Sequence, residues 1–163
     1  DKAQVRRRLP DVVEIHLTER EPVARWKAAG LEDANGNIFQ AATTETFPEF
    51  DGQPGTAKTM VAHYQEFSGL LKPAGLSIAK LEYTPRSAWS VVLDNGITVR
   101  LGREHENARL QQFAAVWPGI LRAQQSGLAY VDMRYKDGFA VRERAPSEMP
   151  SETAASAADH NQQ

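Results

Sequence analysis

An α+β fold, with a mixed or antiparallel β-sheet carrying two packed helices, is what this sequence predicts. Three observations carry that expectation. Several short segments alternate apolar with polar residues, the pattern of half-buried strands. Turn triplets ending in glycine, Ala34-Asn35-Gly36, Asp94-Asn95-Gly96 and Lys136-Asp137-Gly138, stand between such segments. Two longer stretches instead repeat their apolar residues every three to four positions, as an amphipathic helix does.

The elements follow in order. Val5 to Leu9 is a short basic strand, and Val13-Glu-Ile-His-Leu-Thr18 alternates, with Pro10-Asp11 as the tight turn between them. Glu21-Pro22 breaks the pattern, and Val23 to Trp26 begins a new element. Ala34-Asn35-Gly36 then turns the chain onto Ile38-Phe39. Phe47 to Gly55 is rich in Pro and Gly and reads as a loop. Thr56 to Lys72 is a helix on the stripe Val61, Tyr64, Phe67, Leu70 and Leu71, ended by Pro73 to Gly75.

The segments Trp89–Leu93 and Ile97–Leu101 form a hairpin whose register can be argued. A three-residue loop pairs Leu93 with Ile97, Val91 with Val99 and Trp89 with Leu101. A two-residue loop would mix polar with apolar on one face, so the first register is expected. It puts Gly96 in the left-handed position of a bulged turn. A second helix runs from about Glu104 to Gln125 on Leu110, Phe113, Trp117, Ile120 and Leu121, with a kink or break at Pro118. In the last hairpin, Lys136-Asp137-Gly138 as the loop sets Tyr135 against Phe139 and Met133 against Val141. Asp132, Arg134, Ala140 and Arg142 then share the opposite, polar face. From residue 144 to 163 the chain lacks periodicity and is expected to be a disordered tail.

Composition narrows the function. The 163 residues hold 41% hydrophobic and 25% charged residues, the mix of a folded chain able to bury its own core. The formal charge of -2 provides no field to hold nucleic acid. The count of 0 cysteines excludes disulfides, thiol catalysis and cysteine-based zinc sites. No apolar run approaches the roughly 18–20 residues that cross a bilayer. The opening Asp1-Lys-Ala-Gln-Val reads as mid-protein sequence, so targeting information is expected to lie before it.

Chemistry-bearing residues do not form a catalytic pattern. In Glu104-His105-Glu106, adjacent helical residues point about 100° apart and do not converge on one ion; the plainer reading is an acidic first helical turn. His16 and His63 lack ligand spacing and read as surface or boundary residues. There is no Gly-x-Ser-x-Gly elbow, Walker A loop or dinucleotide fingerprint. In Arg6-Arg7-Arg8, alternation divides the three charges between two strand faces, which is the pattern of a solvated strand; contact with anionic lipid headgroups or a partner's acidic helix is the alternative.

A set of motifs resembles a known family. Val5-Arg-Arg-Arg-Leu-Pro10, Glu14-Ile-His-Leu-Thr-Glu19 and Pro22-Val-Ala-Arg-Trp26 resemble the end of a POTRA domain passing into the β domain of the FtsQ/DivIB family. In the same order follow Asp33-x-x-Gly36-x-x-Phe39, Phe47-Pro48, Gly52-x-Pro54, Arg86-x-x-Trp89 and Leu101-Gly102-Arg103. Arg109-Leu110-x-x-Phe113 with Pro118 and Tyr130-Val-Asp-Met-Arg-Tyr135 with Gly138 complete the series. Each is short; together, in order across residues 5 to 143, they are specific.

The resemblance implies three parts: residues 1–21 as the end of a POTRA domain, 22–143 as an FtsQ-type β domain, and 144–163 as the tail. It implies a non-enzymatic cell-division scaffold, without catalytic residues, metal or cofactor. Such a protein is held in the inner membrane by a single helix absent from this chain, with this region in the periplasm. Its implied partners are FtsB and FtsL. The expected binding element is the strand from Gly138 through Phe139, Ala140, Val141 and Arg142, a sheet edge that accepts a partner strand. Arg86 and Arg134 are expected to meet acidic partner side chains, with Tyr135 packing at the turn. The chain departs from the family's usual pattern at Arg142 and Glu143, where small or aromatic residues are common. The alternatives are a different POTRA-linked periplasmic module, chaperone-like or from a secretion system, and a periplasmic hydrolase with an assembled acidic site.

Overall fold

The computed structural model describes residues 2–8, 12–27 and 29–145, with side chains from residue 19 onward apart from Ile120. Its first element is a separate antiparallel ribbon of β1 (Lys2–Arg8) and β2 (Val12–Thr18). Nine further strands form one sheet: β3 (Pro22–Trp26), β4 (Gly30–Asp33), β5 (Ile38–Phe39), β6 (Glu49–Asp51), β7 (Ile78–Tyr83), β8 (Trp89–Leu93), β9 (Thr98–Gly102), β10 (Leu128–Asp132) and β11 (Ala140–Glu143). Their spatial order is β11-β10-β9-β8-β7-β6-β3-β4-β5. The class expected from the sequence is the one found.

The two helices have a topological reason. β6 runs parallel to β7, and β9 parallel to β10. Parallel neighbours cannot be joined by a tight turn and need a crossover. α1 (Ala57–Leu71) is the first crossover and α2 (Glu106–Val116) the second. Both cover one face of the sheet. There the row Trp26, Phe50, Leu81, Val91, Val99 and Val131 runs strand to strand, all of it buried. Met60, Val61, Phe67 and Leu71 of α1 and Leu110 and Phe113 of α2 close over that row. His63 is half-buried between the helices and the sheet, stacked on Trp89 at 4.2 Å between ring centroids.

The opposite face is charged. Lys80 Nζ lies 2.9 Å from Glu82 and 3.5 Å from Glu49, and Lys27 Nζ lies 2.7 Å from Asp51.

Much of the local reading is found as expected. The hairpin of β8 and β9 pairs Val91 with Val99, Leu93 N–H donates to the Ile97 carbonyl, and Gly96 is left-handed at φ 82°. Its far end differs: Trp89 stands opposite Gly102 instead of Leu101, across a bulge. Gly102, at φ 81°, supplies the backbone conformation that this irregularity needs. α2 stops at Val116, and the chain continues through a widened turn at Trp117–Leu121 that absorbs Pro118, then a tight one at Arg122–Gly127.

Two elements depart further from expectation. Glu49–Asp51, inside the expected Phe47–Gly55 loop, is the strand that pairs with both β3 and β7. The last hairpin has a longer loop: Val131 pairs with Val141 and Asp132 with Ala140, so Met133 does not face Val141, nor Tyr135 Phe139. The cause is β9. Met133 N–H donates to the Arg100 carbonyl at 2.9 Å and the Met133 side chain is fully buried, so this residue follows β9 and leaves β11 early. Asp132, expected on the polar face of the hairpin, is buried. The expected tail lies outside the described residues from 146 onward, while Arg144 still bonds to the Gly127 carbonyl at 2.6 Å.

Candidate functional site

Among the described residues β11 occupies one end of the sheet and pairs with β10 alone. Among them, one side of its backbone is therefore engaged and the other offers unpaired N–H and C=O groups. Arg144 fixes the strand's end: its N–H and its Nη2 donate to the carbonyls of Gly127 and Leu128. Along the strand, Val141 keeps 44% of its surface, and Arg142 and Glu143 are exposed.

The loop from Met133 to Phe139 starts with a charged clamp. Arg134 Nε donates to Asp132 Oδ1 at 2.8 Å and Nη2 to Oδ2 at 2.6 Å, while Arg134 N–H also reaches Oδ1 at 3.1 Å. The Arg134 hydrogen bonds outweigh burial and hold the Asp132 carboxyl below its usual range. Beyond the clamp Tyr135 is 61% exposed. Tyr135, Lys136, Asp137, Gly138, Phe139 and Ala140 line an open hollow of about 460 Å³.

A second hollow, of about 490 Å³, is lined in part by Arg134, the residue before Tyr135. Arg86, Arg103, Arg109 and Arg134 line it against a single acid, Glu104. Arg86 is exposed on the tight turn between β7 and β8, where Ser87 N–H donates to the Thr84 carbonyl. Gly102 forms the floor. A Cβ built there would lie 2.9 Å from Arg109 Nη1 and 3.2 Å from Arg134 Cγ. Arg109 Nη1 in turn donates to the Leu101 carbonyl at 2.5 Å. Four guanidinium groups around one cleft favour a carboxylate ligand, which accepts their planar donor pairs.

The residues expected to bind a partner thus fall into three places. Arg86 and Arg134 share the basic cleft, Tyr135 to Ala140 border the other hollow, and Val141 and Arg142 lie on the open strand. Arg134 is not a free charge, because two of its donors are committed to Asp132. Arg103 and Arg109 were legible only as parts of motifs, and nothing in their spacing announces a common cleft with Arg86. Among the described residues no three side chains of metal-ligating type converge.

The family model described as "Cell division protein FtsQ/DivIB, C-terminal" matches residues 24–134, so β11 lies just past the matched stretch. Proteins named cell division protein FtsQ are similar over most of the chain. That of Neisseria gonorrhoeae is 54% identical over 147 residues, covering 90% of this chain and 60% of that protein. That of Neisseria meningitidis is 55% identical over 139 residues, covering 85% and 59%. The protein of Xanthomonas campestris is 37% identical over 147 residues, covering 88% and 52%. The chain therefore spans a little over half the length of these relatives.

Proposed function

This chain belongs to the FtsQ/DivIB family of cell division proteins, and from that premise we propose that it is a non-enzymatic scaffold recruiting FtsB and FtsL by accepting a partner strand on β11. In this reading the region lies in the periplasm, tethered to the inner membrane by a helix outside this chain. No described helix is long and apolar enough to cross a membrane.

The observation that carries the reading is the edge of β11, open among the described residues, whose neighbour Asp132 is held by Arg134 of the four-arginine cleft. A strand seated on β11 gains backbone hydrogen bonds. Acidic side chains flanking that strand would meet Arg86 and the outer face of Arg134, whose guanidinium has five donors and commits two to Asp132. Truncating such a pair costs roughly 2–5 kcal/mol of binding when it is well desolvated. Tyr135, exposed at the lip of the other hollow, would pack on the incoming segment.

The test is a pull-down with the periplasmic part of FtsB, comparing wild type with Tyr135→Ala at equal thermal stability. Binding that the substitution removes supports the site; binding that survives moves the site elsewhere. A proline scan of residues 139–142 then addresses the edge. Proline at an outward-facing N–H should abolish binding with little change in Tm. Loss of stability at every position would mean that the strand's backbone is not free.

A further inference from the structure

Two rows of side chains reach β11 from the body of the sheet, and both end there incomplete. On the helix-covered face the row ends Val99, Val131, Val141; the first two are fully buried and Val141 is 44% exposed. On the other face the row ends Thr98, Tyr130, Arg142. The Tyr130 ring carries Arg100 at 4.1 Å on it and Arg142 at 5.9 Å, so two cations share one aromatic platform. Asp132, which stands opposite Arg100 and Ala140, is taken up by Arg134. The edge thus presents an apolar stub on one face and, on the other, two arginines that form no salt bridge among the described residues.

We propose that β11 selects its partner strand by a two-residue code: a β-branched or aromatic apolar residue beside Val141, next in sequence to an Asp or Glu beside Arg142. This rests on the strand addition proposed above and states what that strand must carry. The two requirements fall on neighbouring residues because successive side chains of a strand point to opposite faces. The apolar residue extends the core row over Val141, and the carboxylate extends the Arg100–Tyr130–Arg142 row, each as a cross-strand pair. A second copy of this chain meets the code poorly: pairing β11 on itself at Val141 sets Arg142 opposite Ala140, where no carboxylate stands.

The probe is a displayed library of ten-residue segments in a strand-forming host, with two adjacent positions randomised. It is sorted on the whole chain, on Arg142→Glu, and on the proline variant of β11 that keeps its Tm. Wild type should enrich Asp or Glu next to Val, Ile or Phe, and Arg142→Glu should replace the acid by Lys or Arg. Synthetic peptides from the two pools should differ about fivefold in affinity for each protein, in opposite directions. Val141→Thr should weaken the apolar preference and keep the acidic one. Identical residues enriched by wild type and Arg142→Glu, with binding lost in the proline variant, overturn the code and leave strand addition standing. Segments that bind the proline variant equally well overturn strand addition itself, and no enrichment on either protein overturns both. Self-association that blocks the segments would assign the edge to a second copy and overturn the code.

Discussion

Arg134 closes on the buried carboxylate of Asp132 two residues earlier, with Nε 2.8 Å from Oδ1 and Nη2 2.6 Å from Oδ2. The pair is asymmetric: the Asp132 side chain is 6% exposed and that of Arg134 is 54% exposed. Asp132 therefore depends on Arg134 more than the reverse. Asp132→Asn should lower stability by about 1–2 kcal/mol, since a charged hydrogen bond is replaced in a site half open to solvent. Urea unfolding of both single variants and the double variant with Arg134→Ala measures the coupling; additive losses would mean that the clamp contributes nothing.

The same clamp has a pH signature. The folded-state pKa of Asp132 is depressed, chiefly by the Arg134 hydrogen bonds, so its contribution is present above the unfolded carboxylate pKa. It is lost as pH falls through the folded value. Between pH 7 and pH 3 wild type should lose more stability than Asp132→Asn, which has no carboxylate there to protonate. Parallel stability curves for the two proteins would contradict this.

Glu32 titrates with the opposite sign. It is fully buried on β4, neither carboxylate oxygen has a hydrogen-bond partner among the described residues, and burial followed by the Asp33 charge pushes its pKa up to about 7. A group raised in the folded state stabilises at low pH and ceases to as pH rises through the folded value. Glu32→Gln should match wild type near pH 5 and exceed it at pH 8, by up to roughly 3 kcal/mol. The measurement is chemical denaturation at both pH values, and a difference independent of pH would rule the account out.

Arg86 and Arg134 line the same cleft but should respond differently to truncation. Arg86 is exposed on a turn, so Arg86→Ala should leave Tm within about 1 °C while weakening FtsB binding. Arg134→Ala should lower both, because Asp132 is left buried without its partner. Isothermal titration beside thermal melts separates the two effects. Equal loss of Tm in both variants would show that the cleft is a structural feature and not a binding one.

Gly102 should not tolerate a side chain. Its φ of 81° costs an L-residue about 1–2 kcal/mol, and an added Cβ would press on Arg109 and Arg134. Gly102→Ala should lower stability by that amount and weaken partner binding beyond what Arg109→Ala does alone. An unchanged affinity would mean that the cleft floor does not position Arg134.

Sequence patterning located these elements unevenly, and the reason is physical. The alternation of Val91, Leu93, Ile97 and Val99, with Gly96 between, fixes a local hairpin, because turn geometry and facing are settled within a dozen residues. The stripe from Val61 to Leu71 likewise states its own helix. Glu49–Asp51 carries no such signal: a three-residue strand between prolines and glycines exists only because β3 and β7 hold it from both sides. The last hairpin departs from the register its local apolar match suggests, because a hydrogen bond from Met133 N–H to the Arg100 carbonyl, far away in sequence, overrules that match.

By itself the sequence determined the α+β class, the helices, the tight hairpin and, through its ordered motifs, the family. Each of these depends on side-chain periodicity or on backbone angles that single residues impose. Only the tertiary structure decided how Arg86, Arg103, Arg109 and Arg134 come to share one cleft, and that Asp132 and Glu32 are buried. Those features arise from parallel pairings closed by helical crossovers, which join residues far apart in the chain and leave no mark in the local pattern.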